Sequence, residues 1–112
     1  MSDARLPTHL WVSAHLARCS AEGVPAYVVR KGDATGGLVL LKLVRGVAGC
    51  RVLVQARDLD GRLGWMAVLG DGLVPESEAD AYAERAAARD PDLWIIEIEH
   101  PEGWHPFEGP VF

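Results

Sequence analysis

Apolar residues fall on one face of residues 8–22, THLWVSAHLARCSAE, where Val12, Leu16 and Cys19 stand at i, i+4 and i+7 beside Trp11 and His15. This spacing predicts an amphipathic helix. Pro7 or Thr8 can start it, Gly23 suits its left-handed end, and Pro25 blocks its continuation. Four apolar or β-branched runs follow: AYVVRK (26–31), LVLLKLV (38–44), CRVLVQAR (50–57) and RLGWMAVL (62–69). GDATGG, GVAG and DLDG separate them, and such turn residues predict short links between strands. Short links favour antiparallel neighbours, because a parallel crossover needs about a dozen residues or more. The first link, between residues 30 and 43, therefore reads as a hairpin.

A second helix is predicted over residues 76–89. Pro75 opens it, Glu76, Glu78 and Asp80 crowd its start, and Arg85 and Arg89 sit near its end, each on the side the helix dipole favours. Its apolar face is Ala79, Tyr82, Ala83 and Ala86. DLWIIEIEH (92–100) predicts a last strand with Trp94, Ile96 and Ile98 on one face. The other face starts with Leu93 and Ile95 and turns acidic at Glu97 and Glu99. The order α-β-β-β-β-α-β predicts an α+β domain, two helices against a mainly antiparallel sheet of about five strands. Residues 1–100 make up this single domain. Residues 101–112, with three prolines, two glycines and Trp104, Phe107 and Phe112, read as a tail packed on it.

Composition narrows the class. Half the residues are apolar (49%) and a quarter charged (24%), as expected of a folded chain of 112 residues with one core. No run approaches the ~18 apolar residues of a membrane span. The start, MSDARLPTHLW, lacks the basic segment and apolar core of a secretory signal, so the expected location is cytoplasmic. Cys19 and Cys50 then read as small core residues rather than a disulfide.

Net charge is −5 but unevenly spread. Residues 30–62 hold seven cations against three carboxylates, and residues 63–112 hold eleven carboxylates against Arg85 and Arg89. A block this acidic argues against nucleic acid as a partner. Opposed blocks can meet inside one fold or between two copies, and a homodimer is one arrangement that joins them. The last strand is long and apolar enough to be a liability at an exposed sheet edge, where Glu97 and Glu99 either protect it or meet Arg51, Arg57 or Arg62 of a neighbour.

The blocks HLWVSAHLARCSAEG, VVRKGDATGGLVLLKL and LGDGLVPESEADAYAERAAARDPDLWIIEIE, taken in order, resemble a small bacterial family, the domain of unknown function family 1491, over residues 8–100. The tail after His100 is longer and more aromatic than the family pattern. The resemblance implies a small cytoplasmic bacterial domain and brings no catalytic residues with it.

Candidate chemistry is sparse. RKGDATGG is not followed by a helix and lacks G-x-x-x-x-G-K-[ST] and G-x-G-x-x-G, so it reads as a turn. Arg30, Lys31 and Asp33 remain its candidate ligand-binding residues for an anionic group. His15 and Cys19 are one helical turn apart, but zinc needs three or four ligands, and His9, His100 and His105 could join only through the fold. Ser13, Ser20 and Ser77 lie in no nucleophile elbow. Asp71, Asp90 and Asp92 flank the second helix and, with Glu97 and Glu99, form an acidic set whose convergence depends on the fold. Trp94, Trp104 and Phe107 are candidate partner-binding aromatics. No cofactor or metal is expected, and no catalytic residue is assigned. The expectation is a non-enzymatic interaction or adaptor module for a protein partner, with no nucleic acid and no membrane. The alternative is a small enzyme or ligand-binding domain that holds an anion at the Arg30–Lys31–Asp33 turn.

Overall fold

A computed structural model describes residues 6–112. The reading of the N-terminus as leaderless falls in part on residues 1–5, which lie outside the described residues. The predicted order appears: α1 (Thr8–Ala21), β1 (Ala26–Arg30), β2 (Val39–Val44), β3 (Cys50–Arg57), β4 (Leu63–Ala67), α2 (Glu76–Arg89) and β5 (Trp94–Glu99). Gly23, at a φ of 72°, turns the chain out of α1, as its lack of a Cβ allows. No described helix is long and apolar enough to cross a membrane.

The strands form one sheet in the order β1-β5-β2-β3-β4. Every neighbouring pair is antiparallel except β2 and β5, which run parallel from Val39↔Trp94 to Val44↔Glu99. The links β2–β3 and β3–β4 are hairpins, as their turns predict.

Two expectations are corrected. The link between β1 and β2 is not a hairpin, because β5 lies between those strands. Residues 31–38 instead carry the chain around the start of β5, a step of about 10 Å across two strand spacings. Nor is β5 an edge strand: it is the second strand in, and its apolar run is paired on both sides. Its two faces both need cover, which is why Trp94–Ile96 are buried without interruption. The edges of the sheet are β1 and β4.

The layers follow from the alternation of side chains. Val12 and Cys19 of α1 pack with Val39, Leu41, Leu43, Leu53, Ile96 and Ile98 on one face. Ala79, Ala83 and Ala86 of α2 pack with Leu40, Val52, Leu93 and Ile95 on the other. Alanines let α2 sit close to the sheet, over β2 and β3. Phe107 and Trp104 of the tail join the α1 face, and Pro110–Phe112 lie along β4.

Candidate functional site

The loop from β1 to β2 does hold an anion, and it is its own. The Asp33 Oδ2 accepts the backbone N–H groups of Thr35 at 3.1 Å and Gly36 at 2.8 Å. The same loop binds the start of β5: Asp33 N–H donates to the Asp92 carbonyl, and the Trp94 indole N–H donates to the Asp33 carbonyl at 2.8 Å. Arg30 Nη1 donates to the carbonyls of Pro91 and Leu93, at 3.0 and 2.7 Å. Lys31 is exposed. Arg30 and Asp33 therefore lock the crossing, and the loop amides at Thr35 and Gly36 are engaged inside the chain. Gly32 and Gly37 are required for closeness rather than for an anion. A Cβ on either would overlap the Asp92 carbonyl oxygen, and one on Gly32 would overlap the Trp94 ring as well.

The charged constellation of the molecule lies elsewhere. Lys42 stands in the middle of β2, 5% exposed, among leucines and valines. Its Nζ lies 2.7 Å from Glu76 Oε2, 2.6 Å from Asp80 Oδ1 and 3.2 Å from Glu97 Oε1. Glu76 and Asp80 are one turn apart on α2, and Glu97 is the β5 residue in register with Lys42. Burial alone would depress the Lys42 ammonium, but the three carboxylates outweigh it and hold its pKa above the ordinary lysine value. A signal for this site was present in LVLLKLV, where one lysine interrupts an apolar run, but its partners lie in two other elements.

Of the acidic residues singled out by their flanking positions, Glu97 alone joins Lys42. Asp90 ends α2 and accepts the Asp92 N–H on Oδ1. Asp71 is exposed in the loop before α2. Among the described residues no three His, Cys, Asp or Glu side chains are placed to hold a metal ion. Burial pushes the thiols of Cys19 and Cys50 upward, away from reactivity.

The aromatic set is also redistributed. Trp94 (3% exposed) and Phe107 (4%) are core residues, which corrects their reading as partner anchors. Phe107 fills the space between Trp11, His15 and Trp65, with the His15 ring stacked on it at 4.4 Å. Its apolar area is worth more inside this cluster than on a surface. Trp104 is half-buried, and the Arg18 guanidinium lies 5.8 Å from its ring centre.

The two sheet edges differ. Along β4, Trp65 N–H donates to the Pro110 carbonyl and Phe112 N–H to the Trp65 carbonyl, so the tail covers that edge. Along β1, β5 is the only partner among the described residues. The Glu99 N–H donates to the Pro25 carbonyl, and the antiparallel alternation then turns the N–H and C=O groups of Ala26 and Val28 outward. A bulge at Val29 ends the regular stretch. Tyr27, Val28 and Val29 are 50%, 40% and 58% exposed. Beside this edge a groove of about 620 Å³ opens between β1, β5 and α2, with Val29, Ile95, Ala83 and Ala87 as its apolar lining.

The comparisons agree on one family. The family model for proteins of unknown function DUF1491 matches residues 6–108. A DUF1491 family protein from Caulobacter crescentus CB15 is similar over 96% of this chain and 99% of its own in its crystal structure, at 42% identity and a TM-score of 0.85. The NMR structure of a DUF1491 family protein from the same organism gives 42% identity, 96% and 97% coverage and a TM-score of 0.83. Protein Atu0922 from A. tumefaciens is similar over 86% of each chain at 26% identity, with a TM-score of 0.69. No curated protein matches. The chain belongs to the DUF1491 family of proteins of unknown function.

Proposed function

We propose that this protein is a small non-enzymatic interaction module that takes an extended segment of a protein partner onto the outer edge of β1. The observation that carries this reading is the contrast between the edges. The chain pairs the middle of β4, at Trp65, with its own tail, whereas among the described residues no strand meets the outward main-chain groups of Ala26 and Val28. Such an edge is a template for strand addition, in which main-chain hydrogen bonds supply affinity and alternate side chains supply choice. The exposed Tyr27, Val28 and Val29 add apolar contact on both sides of the added strand. The bulge at Val29 limits the pairing to a few residues, which suits a partner that comes and goes. The Arg30–Lys31–Asp33 turn does not support the enzymatic alternative, because two of its three charged groups serve the crossing over β5.

Val28→Pro tests the proposal. Proline removes the outward N–H of Val28 but none that bonds β5, so an edge strand tolerates it. Peptides selected from a random library on the wild-type chain should lose about tenfold or more in affinity for Val28→Pro, while the melting temperature changes little. Ala26→Pro serves the same purpose if Val28→Pro does not fold. Selected peptides that bind wild type and both proline variants equally would remove the docking site from β1.

A further inference from the structure

We propose that the segment accepted by β1 is basic as well as extended, with a lysine or arginine on the side that faces α2. This rests on the strand-addition reading above and names the chemistry of the partner.

Because α2 lies over β2 and β3, the same face of β5 and β1 is left partly open. The groove along it has an apolar lining and a charged rim of Asp80, Glu84 and Glu97 with Lys42 and Arg30. Its cations are already engaged. One Lys42 ammonium serves the three carboxylates of Glu76, Asp80 and Glu97, and Arg30 donates to two main-chain carbonyls. Glu84, one turn after Asp80 on α2, brings a fourth carboxylate to the same side. Three carboxylates of the rim, with Glu76 beside them at Lys42, thus stand against the Lys42 ammonium they already hold and the Arg30 guanidinium, whose Nη1 donates to two main-chain carbonyls.

An added strand lies about 4.8 Å outside β1, and every second side chain on it faces the α2 side. Tyr27 is directly opposite Glu97, so its ring marks that side of the edge. The stem of a lysine or arginine can run over the exposed Tyr27 ring and Val29, with its charged head at Glu84 and Glu97. A carboxylate in the same position would meet the groove's excess of like charge. The edge supplies main-chain bonding to any sequence, and the groove supplies the choice.

Three synthetic peptides of about six residues, the length of an ordinary strand, separate the two claims. They alternate valine with lysine, with threonine or with glutamate, and fluorescence anisotropy reads their binding to the full chain. The lysine peptide should bind about tenfold more tightly than the glutamate peptide, with threonine between them and the difference shrinking as salt rises. Glu84→Lys, which leaves the Lys42 contacts in place, should flatten or reverse that order. Equal binding of all three peptides, lost in Val28→Pro, would overturn the basic preference and leave strand addition standing. Binding that ignores Val28→Pro would overturn strand addition itself. A free protein that dimerises in sedimentation, with the dimer abolished by Val28→Pro, would give the edge to a second copy and overturn both.

Discussion

The Lys42 ammonium and the Asp80 carboxylate lie 2.6 Å apart and join the centre of the sheet to the second turn of α2. A buried cation in a β-strand is tolerated because three carboxylates surround its ammonium, Glu76 of α2 accepting a hydrogen bond and Asp80 of α2 and Glu97 of β5 pairing with its charge. Lys42→Met fills the same space without charge and leaves three carboxylates facing one another. Because Glu76 and Asp80 are about half exposed, water offsets part of the cost, and the loss should be about 2 kcal/mol. Urea unfolding measures it. The raised lysine pKa sets the pH behaviour: its contribution is complete below about 10.4, the unfolded value, and is lost only as pH rises through the higher folded one. The gap between wild type and Lys42→Met should therefore hold steady from neutral pH to about pH 10. A variant as stable as the parent would show that the cluster adds nothing to the fold.

Gly36 and Gly37 are adjacent and should respond in opposite ways. A Cβ on Gly36 meets nothing within 4 Å, whereas one on the buried Gly37 overlaps the Asp92 carbonyl oxygen and lies 3.0 Å from Trp94 Cδ1. Gly36→Ala should be neutral within about 0.5 kcal/mol, and Gly37→Ala should cost about 2–4 kcal/mol by forcing the loop away from β5. Thermal unfolding of the pair decides it. Equal melting temperatures would mean that the crossing over β5 is loose.

His105 should give the tail an acid sensitivity. Burial, reinforced by Arg51 and His15, pushes its pKa below the ordinary histidine value, and its Nδ1 accepts the Phe107 N–H at 3.2 Å. A proton on Nδ1 removes that acceptor. The unfolded chain takes up the proton at a pH near 6.5, before the folded chain does, so stability falls as pH drops from about 6.5 toward the folded pKa. His105→Asn keeps an acceptor two residues before Phe107 and does not titrate. It should flatten the fall in melting temperature between about pH 7 and pH 5. An unchanged slope would place the acid sensitivity in another group.

Phe107 is a core residue that the chain delivers from its tail. Phe107→Ala removes the contact surface of Trp11, His15 and Trp65 at once and should cost about 3–4 kcal/mol. For a domain of this size that is a fall of more than about 10 °C in melting temperature. A small change would show that residues 101–112 lie on the domain without holding it together.

Local pattern was sufficient for the seven elements and their order, because helices and strands write their buried faces at fixed spacings. The buried alanines of α2 and the split of β5 into a Trp94–Ile96–Ile98 face and a Leu93–Ile95 face were legible for the same reason. The turn at Asp33 was legible as a turn, since aspartate and glycine act there on their own backbone.

Which strands became neighbours was decided only in three dimensions. Short links suggested sequential pairing, and β5 overrode them at β1–β2 because an apolar strand with two faces to bury is most stable inside the sheet. That single insertion moved the exposed edge from β5 to β1 and brought Glu97 into register with Lys42. Carboxylates 34 to 55 positions from Lys42 thereby joined it in one charge cluster, and no spacing rule reaches that far. Trp94 and Phe107 lost any role at the surface for the same reason: apolar area goes where the assembled layers leave room for it.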